Sequence, residues 1–175
     1  MLGKRNIYLI GPMGTGKTAV GKALARLIGA PFADSDAEIE RHAGVDIPYI
    51  FDQEGEEGFR RREREALAEL CHRDPLVMAT GGGAILAREN RELLKETGVV
   101  VYLRTSAAQQ LQRVGSGRGR PMLRGADIAQ RLEELSRVRE PLYREIADIT
   151  LSTDGRRVPR VADLIMRELG LTRSR

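Results

Sequence analysis

Residues 11–18 read GPMGTGKT and match the pattern G-x-x-x-x-G-K-[ST] in full. Glycines at this spacing let backbone N–H groups curl around phosphate oxygens without side-chain clash. Gly14, Thr15, Gly16 and Ala19 would supply that cradle, reinforced by the positive end of the helix that follows. Lys17 would reach the β- and γ-phosphates of a nucleotide as a compact charge, and the Thr18 hydroxyl could ligate Mg²⁺. Of 29 basic residues only four are Lys, yet one of them stands where the pattern asks for Lys.

Five further clusters could handle an acceptor or the transfer to it. Asp34 and Asp36 flank Ser35. One carboxylate could hold a metal through water while the other takes the proton of a hydroxyl. Taken alone, D-x-D fits a turn or a helix N-cap equally well. GFRRRE (residues 58–63) sets three arginines in a row. TGGGA (residues 80–84) has the consecutive glycines that close backbone approach to a ligand demands, or that a tight turn demands. GRGRP (residues 117–121) places Arg118 and Arg120 in a Gly-rich stretch that could close over the nucleotide and bring an arginine to the transferring phosphoryl group. REPLY (residues 139–143) puts Arg139 beside a helix-breaking Pro141.

The elements that must position these groups alternate. Apolar runs predict strands over 6–10, 30–34, 76–79, 99–103 and 149–152. Helical spacing predicts helices over 17–28, 36–42, 56–72, 88–96, 106–114 and 127–146, with Pro141 expected to bend or interrupt the last, and a final helix after Pro159. Residues 115–125 read as a mobile loop. Strands alternating with helices predict an α/β fold with a five-stranded parallel sheet covered on both faces.

Composition narrows the classes. The chain has 175 residues, 41% of them hydrophobic and 4% aromatic, with no Trp, which suits one domain with an aliphatic core. Cys71 is the sole cysteine, so no intrachain disulfide can form, and His42 and His72 make no zinc spacing with it. No signal peptide or membrane span is expected, which predicts a cytoplasmic protein. The formal charge of +4 is scattered among acidic residues, and with three Phe and four Tyr there is little to stack bases on. Anionic small-molecule ligands account for the charge without nucleic acid.

Taken together and in this order, GPMGTGKT, DSD, GFRRRE, TGGGA, the Arg120-Pro121 pair and REPLY resemble the shikimate kinase family over nearly the whole chain. The resemblance implies a three-layer P-loop fold of the nucleoside-monophosphate-kinase type in a single domain, 1–175. Its phosphate loop would be at 11–18, a substrate-binding segment at about 34–63 and a lid at about 114–125. It implies ATP-dependent phosphorylation of shikimate in the chorismate pathway, with Mg²⁺, by a monomer. Lys17, Asp36 and Arg120 would be catalytic, with Asp36 as base and Arg120 as the lid arginine. Thr18 and Asp34 would serve the metal. Arg60 and Arg139 would grip the substrate carboxylate, Glu63 would position an arginine, Gly81, Gly82 and Gly83 would approach the substrate, and Phe51 and Phe59 would wall its ring. Arg113, Arg157 and Pro159 would lie near adenine. The chain departs from the family in a Gly-rich lid and in Gly155 where Asn is common. The alternatives are another small-molecule kinase on this fold, such as a gluconate kinase, and a P-loop domain used only for binding.

Overall fold

The computed structural model describes residues 6–115, 121–123 and 127–173. Five parallel strands run β2-β3-β1-β4-β5: β1 (Asn6–Ile10), β2 (Phe32–Asp34), β3 (Val77–Ala79), β4 (Gly98–Arg104) and β5 (Ile149–Ser152). The register sets Leu9 beside Ala79 on one flank and Val101 on the other. Side chains alternate across the central strand. Ile7 and Leu9 face a core filled by Val20, Leu24, Val161 and Ile165, from α1 (Lys17–Ile28) and α7 (Val158–Glu168). Tyr8 and Ile10 face the opposite core, with Leu67, Leu70, Leu94, Tyr143 and Ile146. Those residues come from α3 (Ile47–Cys71), α4 (Arg88–Thr97) and α6 (Ile128–Ile146). The helices α2 (Ser35–Ala43) and α5 (Ala107–Val114) complete the set. No helix among the described residues is long and apolar enough to cross a membrane.

The five expected strands are present. Two helix expectations need correction. The helix expected over 56–72 begins at Ile47 and is broken at Gly55, whose φ is 69°. Pro48 looks like a breaker but occupies the first turn, behind an Asp46 N-cap whose carboxylate accepts from the Tyr49 N–H at 2.9 Å. Pro141 does not interrupt α6. It lies on the exposed face, as does Arg137 four residues earlier, so the carbonyl that loses its helical partner can be hydrated.

β1 sits mid-sheet and its neighbours β3 and β4 are reached by crossovers to opposite sides. The carboxyl ends of these strands therefore open onto a crevice, the place where such sheets take ligands. The 11–16 loop leaves β1 there and the 80–83 turn leaves β3 beside it.

Candidate active site

The glycine loop after β1 ends in Gly16, which holds a left-handed conformation (φ 87°) and caps α1. Lys17 bends back over the loop, and its Nζ donates to the carbonyls of Gly11 at 2.7 Å and Pro12 at 2.8 Å. The ammonium is thus poised over the cradle that a triphosphate would fill. Gly14, Thr15, Gly16 and Ala19 lie on that loop and the first turn of α1.

Thr18 and Asp34 meet across the crevice: the Thr18 hydroxyl donates to Asp34 Oδ2 at 2.6 Å. The other carboxylate oxygen, Oδ1, accepts from the N–H groups of Asp36 and Ala37. Asp34 is therefore the N-cap of α2 as well as the partner of the loop threonine, so the capping reading of D-x-D holds. Two hard oxygen donors in contact beside a phosphate loop are a set suited to Mg²⁺.

Asp36 points the other way, into a cavity of about 140 Å³. Its walls are Met13, Asp36, Ile47, Phe51, Phe59, Arg60, Glu63, the three glycines 81–83, Pro121, Met122 and Arg139. Asp36 is only partly covered as a residue, but its Oδ1 is shut off from solvent with no hydrogen-bond partner. Burial, then the Asp34 and Glu63 charges, push its pKa up to about 7 against the pull of Lys17 and Arg60. A carboxyl so tuned suits proton transfer near neutral pH.

Two guanidinium groups share the cavity. Arg60 donates through Nη1 to Glu63 Oε1 at 2.8 Å and through Nη2 to Glu56 Oε1 at 3.4 Å, leaving its Nε buried and unpartnered. Its guanidinium carbon lies 5.1 Å from the Phe59 ring centroid. Glu63 is buried, and burial pushes its pKa up against the Arg60 charge. Arg139 is only 4% exposed, and that desolvation pulls its pKa down. A buried cation facing an open cavity favours an anionic occupant. Phe51 and Phe59 pack together at 4.8 Å between centroids and wall one side.

The glycine turn permits this crowding. A Cβ on Gly83 would lie 2.4 Å from Arg60 Nη2, and one on Gly81 would lie 2.7 Å from Asp36 Oδ1. The turn is tied down by Ser35, whose Oγ accepts from Gly81 N at 3.0 Å, and by the Tyr143 hydroxyl, which donates to the Gly82 carbonyl.

A second cavity of about 220 Å³ lies on the far side of the phosphate loop, lined by Thr15, Gly16, Val20, Arg113, Thr153, Arg156, Val158 and Val161. Arg113 is held there by the Gly14 carbonyl at 3.1 Å and Thr153 Oγ1 at 3.2 Å. Arg157 and Pro159 flank the lining residues Arg156 and Val158 in sequence but do not line the cavity. Arg118 and Arg120 lie outside the described residues. Sequence reasoning missed Met13, Ile47, Met122 and the tether Ser35. The serine sat in plain view between the two aspartates, but nothing local says that its hydroxyl reaches the 80–83 turn.

The family model described as Shikimate kinase matches residues 13–170. The shikimate kinase of Thioalkalivibrio sulfidiphilus is 53% identical over 162 residues, covering 93% of this chain and 85% of its own length. That of Hahella chejuensis is 51% identical over 170 residues, covering 97% and 88%. Among solved structures, the Acinetobacter baumannii shikimate kinase in complex with shikimate superposes with a TM-score of 0.93 at 50% identity, covering 95% of this chain and 93% of that one. A gluconokinase from Sinorhizobium meliloti reaches a TM-score of 0.59 at 18% identity, which is a likeness of fold alone. With the phosphate loop, the paired aspartates and the two cavity arginines all brought to one crevice, and with matches of this length and identity, the chain belongs to the shikimate kinase family.

Proposed function

We infer that the protein transfers the γ-phosphoryl group of ATP to a hydroxyl of shikimate, giving shikimate 3-phosphate. The observation that supports this most is the cavity itself: a buried Arg139, a second guanidinium on Arg60 and an unpartnered Asp36 oxygen face one small volume beside the phosphate loop. A ring carrying one carboxylate and several hydroxyls matches that set. Arg60 and Arg139 hold the carboxylate, since guanidinium meets carboxylate through paired N–H groups. Asp36 accepts from the reacting hydroxyl. As that oxygen bonds to the γ-phosphorus and the bond to the β–γ bridging oxygen breaks, the hydroxyl proton passes to Asp36. Lys17 leaves its two backbone carbonyls for the phosphates. Arg113 and Arg156 border the nucleobase end, and Arg120 meets the transferring group from the lid.

Thr18 and Asp34 would hold Mg²⁺, with water completing its shell, and bound there the ion would neutralise charge on the triphosphate. The protein works on this small molecule in the cytoplasm, as a monomer, without nucleic acid or membrane.

An assay that couples ADP release to NADH oxidation, run with shikimate and with gluconate as acceptors, tests the reading. Turnover with shikimate and none with gluconate is expected. Turnover with gluconate and none with shikimate would overturn it.

A further inference from the structure

The Tyr143 hydroxyl has no part in the chemistry above, and packing does not require it. The ring is 1% exposed and stacks on Tyr102 with centroids 5.0 Å apart and planes 21° apart. A phenylalanine would fill the same space. A buried hydroxyl is costly unless it is hydrogen-bonded, so its presence points to the group it meets. That group is the carbonyl of Gly82, in the middle of the turn that floors the acceptor cavity.

Three observations give that contact meaning. The turn lies beside the guanidinium: a Cβ on Gly82 would stand in ordinary contact with Arg139 Nη1 at 3.4 Å, with Met13 N at 3.5 Å and with Gly11 O at 3.6 Å. A displaced turn therefore changes its spacing from the Arg139 guanidinium. The opposite side of the turn is already fixed, because Ser35 Oγ accepts from Gly81 N and Thr80 is bound to the Leu9 carbonyl through both its N–H and its hydroxyl. Finally, Tyr143 stands one helical turn beyond Arg139 on α6. The Arg139 guanidinium favours the ionised phenol through its charge and through a side-chain hydrogen bond to the phenol oxygen, yet burial outweighs both and raises the phenol pKa, so the hydroxyl keeps its proton and ties the turn and the guanidinium together.

We propose that Tyr143 is a positioning residue for the acceptor pocket: its hydroxyl locks the Gly81–Gly83 turn to the helix that carries Arg139, and so sets the distance between the turn and the carboxylate-binding guanidinium. This rests on the acceptor being shikimate. The nucleotide cavity lies across the phosphate loop, and none of its lining residues belongs to the turn. The effect should therefore fall on one substrate.

The test is Tyr143→Phe, which keeps the ring stack and deletes the tether. Stranding one buried carbonyl corresponds to about a tenfold effect. The Kd for shikimate by calorimetry and its KM should rise about tenfold, with the KM for ATP and kcat within about twofold. An unchanged shikimate KM alongside a lowered Tm would show that the hydroxyl serves stability alone and overturn the proposal, as would equal rises in both KM values. Should Tyr143→Phe fail to fold, Ser35→Ala cuts the opposite tether of the same turn and must give the same split between substrates; no split would overturn the proposal. Wild-type protein is the control. If it binds shikimate and both variants bind it equally well, this proposal alone falls; if wild type does not bind shikimate, the functional reading falls with it.

Discussion

The two cavities on either side of the phosphate loop are built by opposite means. On the nucleotide side the phosphate cradle is local, with Thr15, Gly16 and Val20 from one loop and the helix that follows it; Arg113, Thr153, Arg156, Val158 and Val161 join them from α5 and the β5–α7 stretch, and the two arginines are exposed. The acceptor side draws on the first loop, α2, both parts of α3, the 80–83 turn, residues 121–122 and α6. It also buries its charges, with Glu63 1% and Arg139 4% exposed. The ligands explain the difference. A triphosphate carries several charges and can be held by backbone N–H groups and one lysine, which a short motif provides. A small monoanionic polyol has little charge to offer, so it must be gripped by groups already stripped of water and fixed in direction.

If that contrast is right, damage should separate by side. Asp36→Asn should lower kcat by about two to four decades, the usual range for a lost general base, with ATP affinity little changed. Loss of ATP binding with shikimate binding intact would mean that Asp36 serves the metal instead of Asp34. The same variant has a stability signature. An ordinary aspartate gives up its proton near pH 4 in the unfolded chain, whereas Asp36 holds it to about pH 7 in the native protein. The native state therefore loses stability as pH rises through that window, and the penalty is complete above it. Asp36→Asn should raise stability by about 1–2 kcal/mol at pH 8 and hardly at all near pH 4, which Tm measured against pH would reveal. In the wild type, kcat/KM for shikimate should climb through about pH 7 as the carboxylate forms.

Lys17→Met should reduce kcat by roughly two to four decades through loss of a charge on the transferring phosphate. Near-normal turnover in a folded variant would remove the nucleotide side of the comparison altogether. Arg139→Ala should act mainly on the KM for shikimate, by roughly one and a half to three and a half decades, since breaking a desolvated charge pair costs about 2–5 kcal/mol. Steady-state kinetics with each substrate varied in turn would show it, and unchanged shikimate affinity would take away the main reason for assigning the acceptor. Arg113→Ala is the mild case. An exposed arginine hydrogen-bonded to Gly14 and Thr153 should change the KM for ATP only about two- to fivefold. An effect as large as that of Arg139 would erase the contrast between the two sides.

What the sequence made legible follows the same divide. The phosphate loop could be read outright, because one unbroken run of residues performs the task. The strands were equally plain, since Ile7 and Leu9 alternate with Tyr8 and Ile10 between two buried faces. The acceptor side was readable as residue types through the family resemblance, but not as geometry. No local pattern tells that Ser35 reaches Gly81, or that Ile47 begins a helix turning towards Phe51. Pro141 misled for a physical reason. A proline's effect depends on its place in the helix and on which carbonyl it deprives, and burial decides the second.

The break at Gly55 divides α3 into a part that bears Ile47 and Phe51 and a part that bears Arg60 and Glu63. The wall is shared across the break, since Phe59 beyond it packs on Phe51 before it, but the charges that α3 gives the pocket lie on the second part alone. Substitutions before the break can recontour the wall against which a ring rests while the anion clamp beyond it stays in register. A lineage that began with this pocket could explore acids of other outline without first surrendering its hold on a carboxylate.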